Sequence, residues 1–488
     1  MTEPVPLSEW EYPWLAELLP LTDAENDLGV AQSAALLETS VGSLNQNNST
    51  NQGMIDRYNR AKPIELPPLS TITVANSVEG STIEQLAYDE LVIRTTHLDQ
   101  AIIRLQEAEF QLPPGNATTA LDGKITLLRL DDSKGNNLNA EGLREPLKVL
   151  HDNNLDASIT QCPPLGYTAK SVSGAVGPQP SGQHPMNRPD PLASAEGAGV
   201  KIAVIDTGIA KQVRTDKWLD RIEGPGRLNT DPLYPNLDPL SADDDFVLGE
   251  VAGHGTFVSG VIRQVEPAAS IQIHGIFGDD VVAGDVELAT ALLSAVQDGA
   301  RVVNLSLGTI MINNRPPVAT MVALEILAER DPDDAVVVVC ASGNNHDITP
   351  VYPAAFSRHE WNGDGVRVVA VAGLDQTWHG AGYSSRGGWV DCSCLSTLVL
   401  STFVQGNQPH LDGMGLPTGT FTTYGPDPWA LWTGTSFEAP QVAGAIARAA
   451  RERGLTASAA LDWLLDEGPA LPDFGRALQI LPDRNPPA

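Results

Sequence analysis

The sequence predicts an α/β fold, a parallel sheet with helices on both faces, with a small N-terminal α+β domain in front of it. Three observations carry that expectation. Hydrophobic residues make up 42% of the 488, enough for a full core. From Val200 onward short apolar runs recur, at Val200–Ile205, Ser270–Ile276, Arg301–Leu307, Ala335–Ala341 and Val366–Ala372. Between them the apolar period becomes that of a helix, as in Leu288, Leu292 and Val296, or Val318, Val322 and Ile326. Unbroken apolar strands joined by helical crossovers imply a parallel sheet covered on both sides. Right-handed crossovers then gather reactive side chains at the carboxyl ends of the strands.

In chain order, residues 1–84 read as an N-terminal extension with a polar linker. It holds two apolar segments, Trp10 to Leu19 and Leu28 to Leu37, the second with helical spacing. Residues 43–53 are polar low-complexity sequence, and 63–68 form a Pro-containing connector. Residues 85–170 read as a small α/β sandwich. Leu91 to Thr95 is a strand, and Thr96 caps a helix with Leu98, Ile102 and Leu105 on one face. Ile125 to Leu130 is a second strand, Leu143, Leu147 and Leu150 mark a second helix, and Ala157 to Thr160 closes the unit. A sensor or partner-docking role suits such a domain. Residues 171–193, rich in Gly, Pro and Ser, read as a flexible linker, and 194–482 as the main α/β domain.

The formal charge is −31. With 12 basic and 25 acidic residues in 1–193, and 18 against 36 in the remainder, the acidity is spread along the chain. Such a chain repels phosphate backbones, so nucleic acid is excluded as a partner. No apolar run reaches the roughly 18 residues that cross a bilayer, so no membrane partner is expected. Met1 to Pro6 has neither a positive patch nor an apolar core of secretory type. Four cysteines, Cys162, Cys340, Cys392 and Cys394, are too few for a disulfide framework in this length. Cys392-x-Cys394 has the wrong spacing for a metal pair, so no metal and no cofactor are expected. Together these features favour the cytoplasm.

Chemistry concentrates in three glycine-bearing turns: Asp206 in Ile205-Asp206-Thr207-Gly208, His254 in Gly253-His254-Gly255-Thr256, and Ser436 in Gly434-Thr435-Ser436-Phe437-Glu438-Ala439-Pro440. A hydroxyl becomes a nucleophile at neutral pH only with a base to take its proton and a carboxylate to orient that base. Asp-Thr-Gly alone is most often a turn, and no second copy exists to pair carboxylates. Asp206, however, directly follows an apolar strand. His254 opens an apolar helix. Ser436 opens another, through Val442, Ala443 and Ile446, where free N–H groups and the positive dipole end lie.

The order Asp, His, Ser with these flanks resembles the subtilisin-like serine proteases, or subtilases. The resemblance covers roughly 194–480. It implies a serine endopeptidase working through an acyl-enzyme on peptide or protein substrates, with Asn344, at the end of the strand Ala335 to Ala341, as oxyanion donor. It also implies that Ser306, Leu307 and Gly308 form a substrate-binding edge strand, opposed by Ala341, Ser342 and Gly343. Tyr352-Pro353 then places Val351 at the floor of the primary pocket, suited to medium-sized uncharged or hydrophobic side chains. Subtilases often carry a small domain in front as chaperone and inhibitor, so the N-terminal domain becomes a candidate intramolecular inhibitor. The alternative is a catalytically inactive, peptide-binding pseudoprotease, although all four chemical positions are intact. Two departures stand out. Val265 to Ser270 runs straight to the next strand without the family's calcium loop. Glu438 replaces a small residue, which suggests a preference for basic residues just beyond the scissile bond.

Overall fold

The computed structural model describes residues 18–42, 59, 67–75, 82–161, 177–185, 200–210, 214–220, 222, 237–238, 247–248, 251–277, 283–411 and 417–482. The linker at 43–53, Cys162, most of the segment from Trp10 to Leu19 and much of 171–193 lie outside them.

The chain opens with α1 (Asp23–Gly42). Thr22 and Glu25 start it with a reciprocal capping box: Glu25 N–H donates to Thr22 Oγ1 at 3.2 Å, and Thr22 N–H to Glu25 Oε2 at 2.8 Å. A five-stranded unit follows, from β1 (Leu69–Ala75), β2 (Thr82–Arg94), α2 (Leu98–Glu107), β3 (Ala117–Ala120), β4 (Ile125–Leu128), α3 (Arg144–Asp152) and β5 (Ala157–Gln161). All its strand pairs are antiparallel, with β2 between β1, β4 and β5. The sheet therefore begins at Leu69, upstream of residue 85. The strand read at Leu91 to Thr95 is only the end of β2. Thr96 does not cap α2. It sits inside a 3-10 turn over Thr95–His97, and no side-chain hydrogen bond caps the helix.

β6 (Gln179–Pro180) comes next, followed by β7 (Lys201–Asp206), β8 (Ile209–Ala210), β9 (Leu237–Asp238) and α4 (His254–Val265). Then come β10 (Ser270–Gly275), α5 (Asp285–Gln297), β11 (Val302–Leu305), β12 (Thr309–Ile310), α6 (Val318–Ala328), β13 (Val336–Ala341), β14 (Val351–Tyr352) and β15 (Val366–Leu374). The chain ends with β16 (Cys392–Leu395), β17 (Val399–Thr402), β18 (Gly406–Leu411), β19 (Pro417–Tyr424), β20 (Trp429–Trp432), α7 (Ala439–Arg453), α8 (Ala457–Glu467), β21 (Ala470–Leu471) and β22 (Gly475–Ala477). The main sheet has the order β10-β7-β11-β13-β15-β16-β22-β21 and is parallel except at its last pair. β6 lies within the segment read as a flexible linker, yet it pairs with β20.

Strand alternation divides the core into two layers. Ile202, Val204, Val337 and Val339 face α4, α7 and α8, whereas Ala203, Ile205, Val336 and Val338 face α5 and α6. Each valine or isoleucine among them, fully withdrawn from water, contributes about 1.5–3 kcal/mol. The second layer continues without a break into the small unit, through Leu91, Ile93, Leu128 and Ile159. Polar contacts fix that junction. Arg94 forks onto Glu325 of α6 at 2.7 and 2.8 Å, and Gln161 Nε2 donates to Ile310 O at 3.0 Å. Among the described residues no helix is long and apolar enough to cross a membrane.

Candidate active site

Asp206 ends β7, and its position follows from the strand: β7 is paired on both sides, by β10 and β11, and its last side chain is fully buried at the carboxyl edge of the sheet. Thr207 N–H donates to Asp206 Oδ1 at 2.7 Å, which fixes the carboxylate plane. His254 begins α4, and its Nδ1 lies 2.7 and 2.9 Å from the two Asp206 oxygens. A ring nitrogen between two carboxylate oxygens carries the hydrogen, so Nε2 holds the lone pair. Two backbones must approach closely for this. A Cβ on Gly255 would lie 2.3 Å from Gly208 O, so only glycine lets α4 dock against the Asp206 turn. Gly255 N–H then bonds Thr207 Oγ1 at 2.9 Å. Behind the imidazole, Trp432 packs edge-on at 5.7 Å and Phe437 at 5.7 Å.

Ser436 lies in a 3-10 turn over Thr435–Phe437 that leads into α7, where Pro440 is tolerated in the first turn. It is 2% exposed. Its Oγ donates to Ser306 O at 3.3 Å, while Ser306 Oγ donates back to Ser436 O at 2.8 Å. Asn304 Nδ2 holds Ser306 Oγ from behind at 3.0 Å. His254 Nε2 has no hydrogen-bond partner among the described residues. The Asp–His arm is thus closed, and the hydroxyl is engaged elsewhere.

Asn344 follows β13 and is 7% exposed. Its Oδ1 accepts from Thr435 N–H at 3.0 Å, which settles the amide orientation and leaves Nδ2 as the group available to an incoming oxyanion. Ser306, Leu307 and Gly308 follow β11, and Ala341 ends β13 with Ser342 and Gly343 just beyond it, so these two segments leave neighbouring strands side by side. Ser342 Oγ donates to Ser385 O at 2.9 Å, and Ser385 N–H to Gly343 O at 2.7 Å, so a buried serine cluster backs the second segment. Val351 sits between them. A Cβ on Gly308 would come within 2.6 Å of Val351 Cγ1, and one on Gly343 within 3.2 Å of both its methyls.

Glu438 corrects an expectation. It is 0% exposed, so it meets no substrate. Neither carboxyl oxygen has a hydrogen-bond partner among the described residues. Burial holds the carboxyl well above the usual range, and the backbone amides of Glu438 and Phe437 offset part of that shift. Cys392 and Cys394 are fully buried beside it, their thiols pushed up by the same loss of water. Among the described residues no group of three or more His, Cys, Asp or Glu side chains could hold a metal ion.

Sequence reasoning did not single out Gln32, Thr433 or Trp432, which lie behind the nucleophile turn. The one available signal was Gln32 itself, a polar residue four positions from both Leu28 and Leu36.

Comparison with known proteins places this geometry in context. The model of the subtilase family matches residues 197–465. Thermitase of Thermoactinomyces vulgaris is 26% identical over 287 residues, 57% of this chain and 84% of the relative. Subtilisin BL of Lederbergia lenta is 28% identical over 236 residues, 46% of this chain and 73% of the relative. The crystal structure of fervidolysin from Fervidobacterium pennivorans overlays with a TM-score of 0.48 at 17% identity, covering 85% of this chain and 64% of that one.

Proposed function

This chain belongs to the subtilase family, and from that premise we propose that Asp206, His254 and Ser436 act as its catalytic triad with Asn344 as oxyanion donor. The chain is a serine endopeptidase of subtilisin-like α/β fold. The observation that carries the residue assignment is the buried Asp206–His254 pair, which leaves a basic Nε2 beside the Ser436 turn.

In the proposed step Ser436 Oγ exchanges Ser306 O for His254 Nε2, which takes its proton as Oγ attacks the peptide carbonyl. Such bonds commonly tighten only once substrate is bound. The tetrahedral oxyanion accepts from Asn344 Nδ2 and the Ser436 N–H. His254 then protonates the leaving amine, and water releases the acyl group by the same route in reverse. Loss of one oxyanion donor costs roughly 10²–10³ in kcat, a figure that comes from subtilisin, a relative of this chain.

The test is covalent. A fluorophosphonate should label wild type at Ser436, and neither Ser436→Ala nor heat-denatured protein should react. The pseudoprotease reading draws on the hydroxyl being bonded to Ser306 and not to His254. Absence of label in the wild type would favour it.

The small unit is the proposed restraint on this activity. Gln161, at the end of β5, bonds Ile310 O, and Ile310 follows closely on the edge segment 306–308. β5 therefore ends near the proposed substrate strand, close enough for the small unit to obstruct the approach of a peptide that binds by strand addition.

A further inference from the structure

α1 precedes the small unit in the chain, yet it packs on the main body behind the nucleophile turn. Leu21 and Leu28 pack with Leu398, Leu400, Trp429 and Leu431, and Leu36 packs with Ala381 and Tyr383. The approach is close: a Cβ on Gly29 would lie 2.7 Å from Leu398 Cδ1.

One polar side chain interrupts this apolar face. Gln32 is 1% exposed and its amide is fully engaged. Oε1 accepts from Thr433 Oγ1 at 2.6 Å; Nε2 donates to Gly177 O at 2.9 Å and, more weakly, to Leu431 O at 3.4 Å. Thr433 Oγ1 also accepts from Leu398 N–H at 3.0 Å, and the next residue, Gly434, donates to Ser396 O at 2.9 Å. Two residues further on is Ser436. On the other side of Leu431–Thr433 stands Trp432, whose ring backs His254. A leucine at position 32 would bury as well and leave no polar group to satisfy on the helix, so apolar docking does not account for an amide there. Two of its three bonds, the short one from Thr433 and the weak one to Leu431, reach the strand and turn that hold the base and the nucleophile, while the third ties down Gly177.

We propose that Gln32 is a positioning residue for Ser436: its buried amide fixes Thr433, and through Thr433 the turn that sets where the hydroxyl lies. The proposal rests on Ser436 being the nucleophile. Gln32 touches no substrate. It acts by narrowing the range of positions open to residues 433–436, and displacement of a reacting group by about 1 Å can cost 10²-fold in rate.

The test compares Gln32→Leu, Thr433→Val and Thr433→Ser in the full chain, with peptide hydrolysis followed well below the melting transition. Gln32→Leu and Thr433→Val should each lower kcat about ten- to a hundredfold with KM within twofold, and together they should cost no more than either alone. Thr433→Ser, which keeps the hydroxyl, should restore most of kcat. If Gln32→Leu does not fold, the two Thr433 variants decide the matter. Unchanged kcat in folded variants, with only a lower Tm, would overturn the proposal and leave a structural role. Failure of wild type to take a fluorophosphonate at Ser436 would instead sink the reading on which it rests.

Discussion

Val351 shows how much one side chain constrains the binding of a peptide. Its Cγ1 stands where a Cβ on Gly308 would point, and both methyls stand where one on Gly343 would, so they occupy the slot between the two proposed substrate-binding segments. An apolar floor alone implies medium-sized side chains; with valine methyls in that slot the expectation narrows to small ones such as Ala or Gly. Val351→Gly should raise kcat/KM for peptides with Phe or Leu on the acyl side of the scissile bond, relative to Ala, by about tenfold or more. Matched chromogenic peptides would measure the ratio, and no change would locate the selecting group elsewhere. At this scale the sequence is most legible where chemistry needs a fixed string. Asp206, His254, Ser436 and Asn344 each stand in a short motif beside a strand or helix end. Gln32 has no motif, because its role comes from partners such as Leu431 and Thr433, far away in the chain.

The elements of the parallel sheet are legible for a related reason. β7 and β13 are buried on both faces, and this produces runs such as Val336–Ala341 with no polar interruption. β3 is exposed along most of its length and β19 is rich in threonine, so neither yields an apolar pattern to read. β6 contains a proline and takes its identity from pairing with β20 alone. α7 carries a hidden liability at its start. The Glu438 carboxyl, held well above its ordinary value of 4.5 by burial, binds its proton more tightly in the folded chain than in the unfolded one. Its contribution to stability is complete in acid and is lost as pH rises through the folded value. Glu438→Gln keeps the shape and removes the titration, so its Tm should fall less than that of wild type toward alkaline pH. Parallel Tm curves for the two proteins would refute this account.

Across the whole molecule, the same logic governs how the small unit is held. Glu90 of β2 is pushed up to about 7, first by burial and then by the charge of Glu287 on α5, with Arg129 opposing. Burial also raises Glu287 and Asp285. From an ordinary 4.5 this is a shift on the order of 3 kcal/mol between protonation states. The stability that Glu90 contributes to the folded chain is complete below about 4.5 and declines as pH rises through about 7. Hydrogen exchange on the Ser436→Ala protein, corrected for intrinsic rates, should show β2 and β5 losing protection over that range. Adding Glu90→Gln should flatten the dependence, and an equal slope would remove Glu90 from the account.

The path of the chain bears on how such a restraint could ever be lifted. α1 grips the main body, the five-stranded unit follows, and β6 returns to the main body. The unit is therefore a loop leashed at both ends. A single scission on either side leaves it tethered at high effective concentration, free to rebind. Departure needs two cuts, one between residues 42 and 69 and one between 161 and 177, which makes permanent release a coincidence of two events.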